Sequence, residues 1–259
     1  MSALIHPTAI IDAKAWLDSS VRVGPYSIIG AGVEIGADCE IAAHVVLEGP
    51  TQIGPRCRFW PFAVIGAAPQ DKKFKDEPTR LIMGADNTVR ESVTINRGTV
   101  QGGGETRIGD DNWIMAYVHI AHDCVIGSHT IFANNTTLAG HVTIEDWVIL
   151  GGATLVHQFC RIGAHAFTGM AAKINGDVPP YVVIAGEMSA PRGINSEGLK
   201  RRGFSAESIM AIKRAYKTLY QSDLTLADAK LQLAEVAQQD ANIARLLEYL
   251  ALADRGLQR

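Results

Sequence analysis

The chain has 259 residues, with 24 lysines and arginines against 27 aspartates and glutamates and a formal net charge of -3 at pH 7. That length allows one large or two modest domains that fold without disulfides, and the charge argues against a nucleic-acid binder with a global basic field. The sequence has no apolar run near the roughly 18 residues of a membrane span and does not begin like a secretory signal. We therefore expect a cytoplasmic protein with no integral membrane segment.

A six-residue repeat of large apolar residues runs through most of the chain. The series is interrupted after residue 65, slips by one residue near residue 100, and is broken by Thr168 before it ends. Period six is typical of short strands separated by corners, with stacked coils burying a continuous core. A glycine follows many members, where we expect a corner to use its permissive backbone. The members are Ile5, Ile11, Leu17, Val23, Ile29, Ile35, Ile41, Leu47, Ile53, Phe59, Ile65, Met83, Val89, Ile95, Ile108, Ile114, Ile120, Ile126, Phe132, Leu138, Ile144, Leu150, Val156, Ile162 and Ile174.

All four cysteines lie two positions before a member of the repeat. They are Cys39, Cys57, Cys124 and Cys160. This position favours a small side chain that points inward, and the spacing is not a CxxC metal pattern. We expect buried free thiols in a reducing compartment.

Two polar segments interrupt the repeat. Residues 67–80 cannot supply inward apolar side chains and must leave the solenoid as a loop, and residues 97–105 are glycine-rich and predict a second, flexible loop. Long loops on a rigid scaffold often carry function, although a solvated loop without a role is nearly as common.

The repeat predicts a solenoid over residues 1–190, and the pattern beyond it becomes helical. In residues 191–259, apolar residues recur at spacings of three and four, and Ser205, Thr225 and Asp240 can cap three helices. We expect a small helical domain that covers one end of the solenoid. Its basic residues form a local strip in a mildly acidic protein, which is either a solvated helix face or a partner surface: Lys200, Arg201, Arg202, Lys213, Arg214 and Lys217.

Histidines gather at one place in the predicted solenoid. If three repeats make one coil, His122, Gly140 and Gln158 form a column, and His141 and His157 are one position from it. Neighbouring coils are about 4.8 Å apart, so these side chains should meet. Such a cluster suits either a zinc site or a general base, and the residues by themselves do not choose.

The sequence resembles two nested families. The repeat is that of the hexapeptide-repeat transferases, which implies a left-handed parallel β-helix. The segments QDKKFKDEPTR, RESVTINRGTVQGGG, HIAHDCVIG, FANNTTLAGHV, VHQF, DVPPYV and GINSEGLKRRGFS resemble the UDP-N-acetylglucosamine O-acyltransferases in order over nearly the whole chain. This second likeness is far more specific than the repeat.

The resemblance implies transfer of an (R)-3-hydroxyacyl chain from acyl carrier protein to the glucosamine 3-hydroxyl of UDP-N-acetylglucosamine, the first step of lipid A synthesis. The family's general base matches His122, its orienting carboxylate Asp123, and its oxyanion donor the backbone N–H of Gly140. The family uses no metal and no resident cofactor, because the acyl group arrives on the phosphopantetheine of the carrier protein.

Further residues match the family's binding positions. The family is a homotrimer with sites between subunits, and we expect no nucleic-acid partner. The acidic carrier protein would contact Arg201, Lys213 and Lys217, with Arg202 in the same basic strip. The positions that match the nucleotide-sugar contacts are Gln70, Asp71, Lys73, His119, His141, His157, Gln158, Asn195, Glu197 and Arg202.

Two positions depart from the common pattern. Asn96 replaces a histidine, which alters a polar contact near the substrate and leaves open whether the acceptor carries a 3-hydroxyl or a 3-amine. Met170 stands where members that use long chains have glycine, and it predicts a preference for an acyl chain near ten carbons over one of fourteen.

Three alternative functions would use the same features of the sequence. They are a zinc hydratase on the same solenoid, a solenoid that serves only as a trimeric scaffold, and an acyltransferase that uses coenzyme A with another sugar nucleotide. Stoichiometric zinc would favour the first, a scaffold has no need of His122 and the KRRGF segment, and the extended matches argue against the third.

Overall fold

The computed structural model describes residues 4–253 and 256–259. The first three residues of the predicted solenoid and residues 254 and 255 of the predicted helical region lie outside the described residues.

Residues 10–185 form a left-handed parallel β-helix whose short strands stack into three sheets. Sheet 1 contains β1 (Ile10–Ile11), β4 (Ile28–Ile29), β7 (Val46–Leu47), β10 (Val64–Ala67), β13 (Thr94–Asn96), β16 (His119–Ile120), β19 (Thr137–Leu138), β22 (Leu155–Val156) and β25 (Lys173–Ile174). Sheet 2 contains β2 (Trp16–Leu17), β5 (Val33–Ile35), β8 (Thr51–Ile53), β11 (Arg80–Met83), β14 (Glu105–Ile108), β17 (Val125–Ile126), β20 (Thr143–Ile144) and β23 (Arg161–Ile162). Sheet 3 contains β3 (Arg22–Val23), β6 (Glu40–Ile41), β9 (Arg58–Phe59), β12 (Thr88–Val89), β15 (Trp113–Ile114), β18 (Ile131–Phe132), β21 (Ile149–Leu150), β24 (Phe167–Thr168), β26 (Val182–Ala185) and β27 (Ala190–Ile194).

The repeat residues form the core of the solenoid, as predicted. From Val23 to Ile174 every member of the series is buried, whereas Ile11 and Leu17 are half-buried and Ile5 is exposed near the open first coil. The four cysteines are free and fully buried, which confirms the prediction of buried free thiols. Each inward aliphatic therefore packs on those of the coils above and below, and the hydrophobic effect stabilises the whole stack.

Each coil consists of three repeats except at the two predicted interruptions and in the last coil, where Phe167 pairs with Val183. His119 pairs with Thr137 and Thr137 with Leu155, so that paired residues are three repeats apart. The coil from Val64 to its partner Thr94 is longer because it contains the first loop, and the coil from Thr94 to its partner His119 is longer because it contains the second. Both loops are thus inserted without breaking the pairing of sheet 1.

The corner glycines serve a purpose other than the predicted one. Of the glycines that follow a repeat residue, Gly66 has a positive φ, but Gly24, Gly54 and Gly127 do not. A Cβ on Gly54 would lie 2.6 Å from the carbonyl carbon of Gly84 in the next coil. The expectation of a permissive backbone was therefore wrong at these positions, where close approach of the next coil excludes a side chain. The left-handed backbone falls two residues later, mostly on residues other than glycine.

Four helices follow the strands: α1 (Ser196–Arg201), α2 (Ala206–Tyr220), α3 (Leu226–Ala237) and α4 (Ala241–Ala251). Ser205, Thr225 and Asp240 accept hydrogen bonds from the first turns of α2, α3 and α4, which confirms the predicted caps. The first helix begins some way after Pro191, because Ala190–Ile194 pairs with β26 in an antiparallel hairpin. None of the helices in the described part of the chain is long and apolar enough to cross a bilayer.

Two adjacent glycines test the close approach of the coils. A Cβ on Gly151 would lie 2.5 Å from the Thr168 carbonyl oxygen, whereas one on Gly152 would meet its nearest neighbour, the Asn134 carbonyl oxygen, at 3.5 Å. Neither glycine has a positive φ. We expect Gly151→Ala to cost more than about 1 kcal/mol and Gly152→Ala to be neutral or slightly stabilising. Thermal unfolding followed by circular dichroism measures both, and equal melting temperatures would contradict this account.

Candidate active site

The predicted histidine column lies at the corner between sheets 1 and 2. Strand β16 ends at Ile120 and leads into His122 and Asp123, and β19 ends at Leu138 and leads into Gly140 and His141. Because β16 and β19 pair in register, His141 stands directly above Asp123, and its backbone N–H donates to the His122 carbonyl oxygen at 3.0 Å. The corner therefore presents polar side chains from successive coils to one place.

His122 and Asp123 form a hydrogen-bonded pair. The Nδ1 atom of His122 is 2.6 Å from Oδ2 of Asp123. The Asp123 carboxylate is fully buried, whereas 16% of the His122 side chain is exposed. The His122 Nε2 atom has no hydrogen-bond partner within residues 4–253 and 256–259. This is the arrangement in which a carboxylate orients an imidazole and leaves its second nitrogen free to accept a proton.

The glycine-rich loop holds the Asp123 carboxylate in place. The backbone N–H of Thr99 donates to Oδ1 at 2.7 Å, and the Thr99 hydroxyl donates to Oδ2 at 2.7 Å. The backbone N–H of Asp123 itself donates to the Thr106 hydroxyl at 2.8 Å. A loop predicted to be flexible is thus fixed to the site by a threonine that is 2% exposed.

These contacts make Asp123 the charged group of the corner. Burial by itself would raise the pKa of Asp123, but hydrogen bonds from His122 and from both Thr99 groups outweigh it and hold that pKa below its usual value. Burial lowers the pKa of His141, against the opposing attraction of Asp123. With Asp123 ionised, its oxygen is an acceptor only, so a neutral His122 carries its proton on Nδ1 and its lone pair on Nε2.

Gly140 lies directly against the His122 ring. A Cβ at this position would be 2.7 Å from Cε1 and 3.0 Å from Nε2 of His122. Its backbone N–H donates to no acceptor among the described residues. Only glycine permits this contact, which leaves an unpaired amide beside the exposed edge of the imidazole.

The remaining histidines of the column take different positions. His119 projects from β16 and its Nδ1 is 2.7 Å from the Thr94 hydroxyl, while burial and then the neighbouring His122 lower the pKa of His119. His141 stacks on Phe159 and meets the His122 ring edge-on at 5.2 Å. His157 and Gln158 are exposed one coil further on.

The first loop places Asp71 near the same corner. The negative charge of Asp71 acts on His141 and opposes the fall in its pKa, so the two side chains are near each other. Gln70 and Lys73 are exposed, and the Lys73 backbone N–H donates to the Asp71 carboxylate at 2.9 Å.

Asn96 and Arg97 tie this loop to the solenoid. The amide of Asn96, which is 3% exposed, donates to the Ala68 carbonyl oxygen at 2.9 Å. Arg97 donates to the Gly66 carbonyl oxygen at 3.1 Å and lies over the Phe74 ring. Asn96, which replaces the histidine of the family pattern, thus holds the start of the first loop.

The predicted residues of the helical region lie at a different corner of the same chain. Asn195 caps α1 and donates to the His165 carbonyl oxygen, and Arg202 contacts the His165 ring and lies over Trp147, between sheets 2 and 3. Glu197 is exposed and pairs with Lys200. A single protomer therefore does not bring these residues into contact with His122.

The predicted contact residues for a carrier protein and an acyl chain face solvent. Arg201, at the end of α1, and Lys213 and Lys217, on α2, are exposed. Met170, at the corner between sheets 3 and 1, is 83% exposed. In the protomer, Met170 closes no groove.

Thr99 and His165 are among the residues that contact predicted site residues without having been predicted themselves. Thr99 holds Asp123 from 24 positions away, and nothing in the local sequence marks it beyond its place at the start of a glycine-rich segment. His165 contacts Arg202, and burial, then the charges of Arg202 and Arg245, lower the pKa of His165 to about 4. Both contacts depend on the register of coils and loops.

The geometry of the corner also keeps the metal interpretation open. One ligand atom from each of His122, Asp123 and His141 lies within 4.8 Å of the others. Three ligands of these types are the number that a catalytic zinc ion takes from a protein. Elemental analysis of the purified protein separates this alternative from a base.

Comparisons with known proteins agree over the full chain. The family model "Udp N-acetylglucosamine O-acyltransferase; Domain 2" matches residues 177–258, and the model for bacterial transferase hexapeptide repeats matches residues 14–49, 32–67 and 105–140. The acyl-[acyl-carrier-protein]--UDP-N-acetylglucosamine O-acyltransferase of Janthinobacterium sp. (strain Marseille) is 60% identical, with 99% of this chain and 100% of that protein covered.

Solved structures show the same relationship. The UDP-N-acetylglucosamine O-acyltransferase of Moraxella catarrhalis superimposes with a TM-score of 0.97 at 41% identity, covering 99% of this chain and 100% of that one. The Francisella novicida UDP-N-acetylglucosamine acyltransferase gives 0.96 at 40% identity, covering 98% and 94%. These likenesses confirm the resemblance read from the sequence segments. The chain belongs to the UDP-N-acetylglucosamine O-acyltransferase family.

Proposed function

We propose that the protein transfers an (R)-3-hydroxyacyl chain from acyl carrier protein to the glucosamine 3-hydroxyl of UDP-N-acetylglucosamine, as the first step of lipid A synthesis. The observation that carries the proposal is the His122–Asp123 pair, in which neither Nε2 nor the nearby N–H of Gly140 has a hydrogen-bond partner among the described residues. The substrates are inferred from the family. The His122 imidazole and the Gly140 N–H are groups suited to acyl transfer. A cytoplasmic location stays a prediction of the sequence.

The proposed mechanism uses His122 as the general base. Nε2 takes the proton of the sugar 3-hydroxyl as that oxygen attacks the thioester carbonyl, and the Gly140 N–H donates to the oxyanion that forms. Collapse of the tetrahedral intermediate breaks the carbon–sulfur bond. The imidazolium then returns the proton to the departing phosphopantetheine thiolate, so that no metal or resident cofactor is required.

The buried carboxylate favours this reaction in two ways. Asp123 fixes the proton of neutral His122 on Nδ1, and its negative charge stabilises the imidazolium that forms during attack. His119 and His141, whose pKa values are lowered, stay neutral near pH 7 and are proposed to hydrogen-bond the sugar. They add no positive charge that would compete with protonation of His122.

For the nucleotide part, we propose binding by Gln70, Asp71 and Lys73 of the first loop with His157 and Gln158 near the corner. Lys73 is exposed and can meet the diphosphate. Asn195, Glu197 and Arg202 lie at the other corner, so their participation requires a second protomer. Arg201, Lys213 and Lys217 offer exposed positive charge to the acidic carrier protein.

A homotrimer with sites between subunits would meet that requirement. The outer face of sheet 1 carries apolar residues on its first four strands, Ile10, Ile28, Val46 and Val64, and the outer face of sheet 3 carries Trp113, Ile131, Ile149 and Phe167 on later strands. Because these two faces differ, a contact between them is head-to-tail, and it closes into a ring when equivalent coils of neighbouring subunits lie level. We therefore propose that sheet 1 of one subunit faces sheet 3 of the next.

The base assignment is tested with His122→Asn. We expect kcat for acyl transfer from acyl carrier protein to UDP-N-acetylglucosamine to fall by roughly a hundred- to ten-thousandfold, because asparagine cannot take the proton. The matched control is His6→Asn, since His6 is exposed at the open first coil, where its Nδ1 lies 2.9 Å from the Thr8 hydroxyl. A His122 variant that keeps most of its activity would refute the assignment, and stoichiometric zinc would favour the hydratase alternative.

The acyl-chain preference is tested by a competition assay. Wild-type protein should prefer a 3-hydroxyacyl chain of ten carbons over one of fourteen, because the Met170 side chain would block the end of the acyl groove between subunits. Met170→Gly should shift the ratio of kcat/KM values towards the longer chain. A wild-type enzyme that clearly prefers fourteen carbons would contradict the prediction.

The subunit contact is tested with Val64→Glu on sheet 1. A charge buried without a partner in a subunit contact is strongly unfavourable, so we expect the molar mass in light scattering to fall from three times 27.8 kDa towards that of one chain. Gln52→Glu, on the outer face of sheet 2, is the control and should leave the mass unchanged. If the Val64 variant keeps the mass of the trimer, the proposed contact between sheet 1 and sheet 3 is wrong.

A further inference from the structure

The start of the glycine-rich loop is built around the Asp123 carboxylate. Thr99 donates to both carboxylate oxygens, from its N–H and from its hydroxyl, each at 2.7 Å. Its hydroxyl oxygen also accepts the Gly102 N–H at 3.1 Å, which caps the short 3-10 helix Val100–Gly102. A Cβ on Gly102 would lie 2.0 Å from the Asp123 carboxyl carbon, so the loop packs on this carboxylate without a gap.

We propose that Thr99 is a positioning residue for the reaction, which orients the Asp123 carboxylate towards His122 and shares with His122 the carboxylate oxygen that both contact. The proposal rests on the proposed function, in which His122 is the base. It adds a specific role for a loop residue that hydrogen-bonds the carboxylate and not the imidazole.

The geometry gives Thr99 two effects. Oδ2 of Asp123 accepts from the Thr99 hydroxyl and is 2.6 Å from Nδ1 of His122, so the hydroxyl fixes which oxygen faces the ring. The Thr99 hydroxyl also points its positive hydrogen at Oδ2, which weakens the attraction between the carboxylate and a protonated His122. Thr99 therefore sets both the direction of the ring and the ease with which it keeps a proton.

The loop that carries Thr99 is itself held on its other side. Two positions before it, Arg97 donates to the Gly66 carbonyl oxygen and lies over Phe74, and Asn96 donates to the Ala68 carbonyl oxygen. A Cβ on Gly98 would lie 2.3 Å from the Glu105 backbone nitrogen, so the two ends of the loop touch. Thr99 thus stands between the first loop and the carboxylate, with little freedom to move.

The experiment compares Thr99→Val, which removes the hydroxyl and keeps the backbone donor, with Thr99→Ser, which keeps both. The matched control is Thr130→Val, because Thr130 donates through its N–H and its hydroxyl to the buried Asn112 side chain, at 2.8 and 2.6 Å, away from the site. Should Thr99→Val not fold, Thr99→Ala removes the same hydroxyl without added bulk. The readouts are kcat, KM, the pH profile of kcat/KM, and the pH dependence of His122 modification by diethyl pyrocarbonate, located by peptide mass spectrometry.

For Thr99→Val we expect kcat to fall by about tenfold or more with KM for the nucleotide sugar nearly unchanged. Because the carboxylate then attracts the imidazolium more strongly, the acid limb of kcat/KM and the midpoint of His122 modification should move to higher pH, by about half a unit or more. Thr99→Ser should restore both values. Thr130→Val should lose stability but keep the wild-type pH profile.

An unchanged or lowered midpoint in Thr99→Val, or an equal shift in Thr130→Val, would overturn the inference. The modification experiment needs no acyl donor, so it decides the role of Thr99 independently of turnover. A wild-type protein that transfers no acyl group to UDP-N-acetylglucosamine would instead refute the proposed function.

Discussion

The whole structure depends on the hydrogen-bonded register between successive coils. Within the β-helix each strand pairs with the equivalent strand of the next coil, and the pairing persists on both sides of each inserted loop. Parallel pairing of this kind brings one inward aliphatic per strand into line with its neighbours, and it leaves polar side chains to the outer faces and the corners. The candidate site lies at such a corner because the interior of the solenoid is apolar and filled.

The corner backbone explains how polar groups are aimed there. Asp123 and His141 both occupy the left-handed region, with φ of 61° and 62°, at the third residue after a strand. For residues other than glycine this conformation carries a cost, which the packing of the neighbouring coils must offset. A left-handed residue recurs at this corner in successive coils, so the side chains of the corner lie in a row along the solenoid axis.

A single buried carboxylate dominates the electrostatics of this corner. Asp123 is fully buried, and its ionised form depends on donors from His122 and Thr99. A buried charge without such partners would be strongly unfavourable. The second loop therefore contributes to the site through hydrogen bonds to a carboxylate, whereas the first loop contributes exposed groups that can reach a ligand. Two insertions in one solenoid thus take separate parts in one site.

The sequence by itself determined the solenoid, the burial of its cysteines, the caps at Ser205, Thr225 and Asp240, and the column that contains His122 and Gly140. It could do so because period and capping are local properties, and a fixed coil length turns sequence distance into spatial distance. The tertiary structure decided that the corner glycines are required by close approach of coils, that Thr99 holds Asp123, and that Asn195 and Arg202 lie at another corner. These facts depend on where inserted loops and the helical region fold back, and contacts between residues far apart in the chain leave no periodic signal in one sequence.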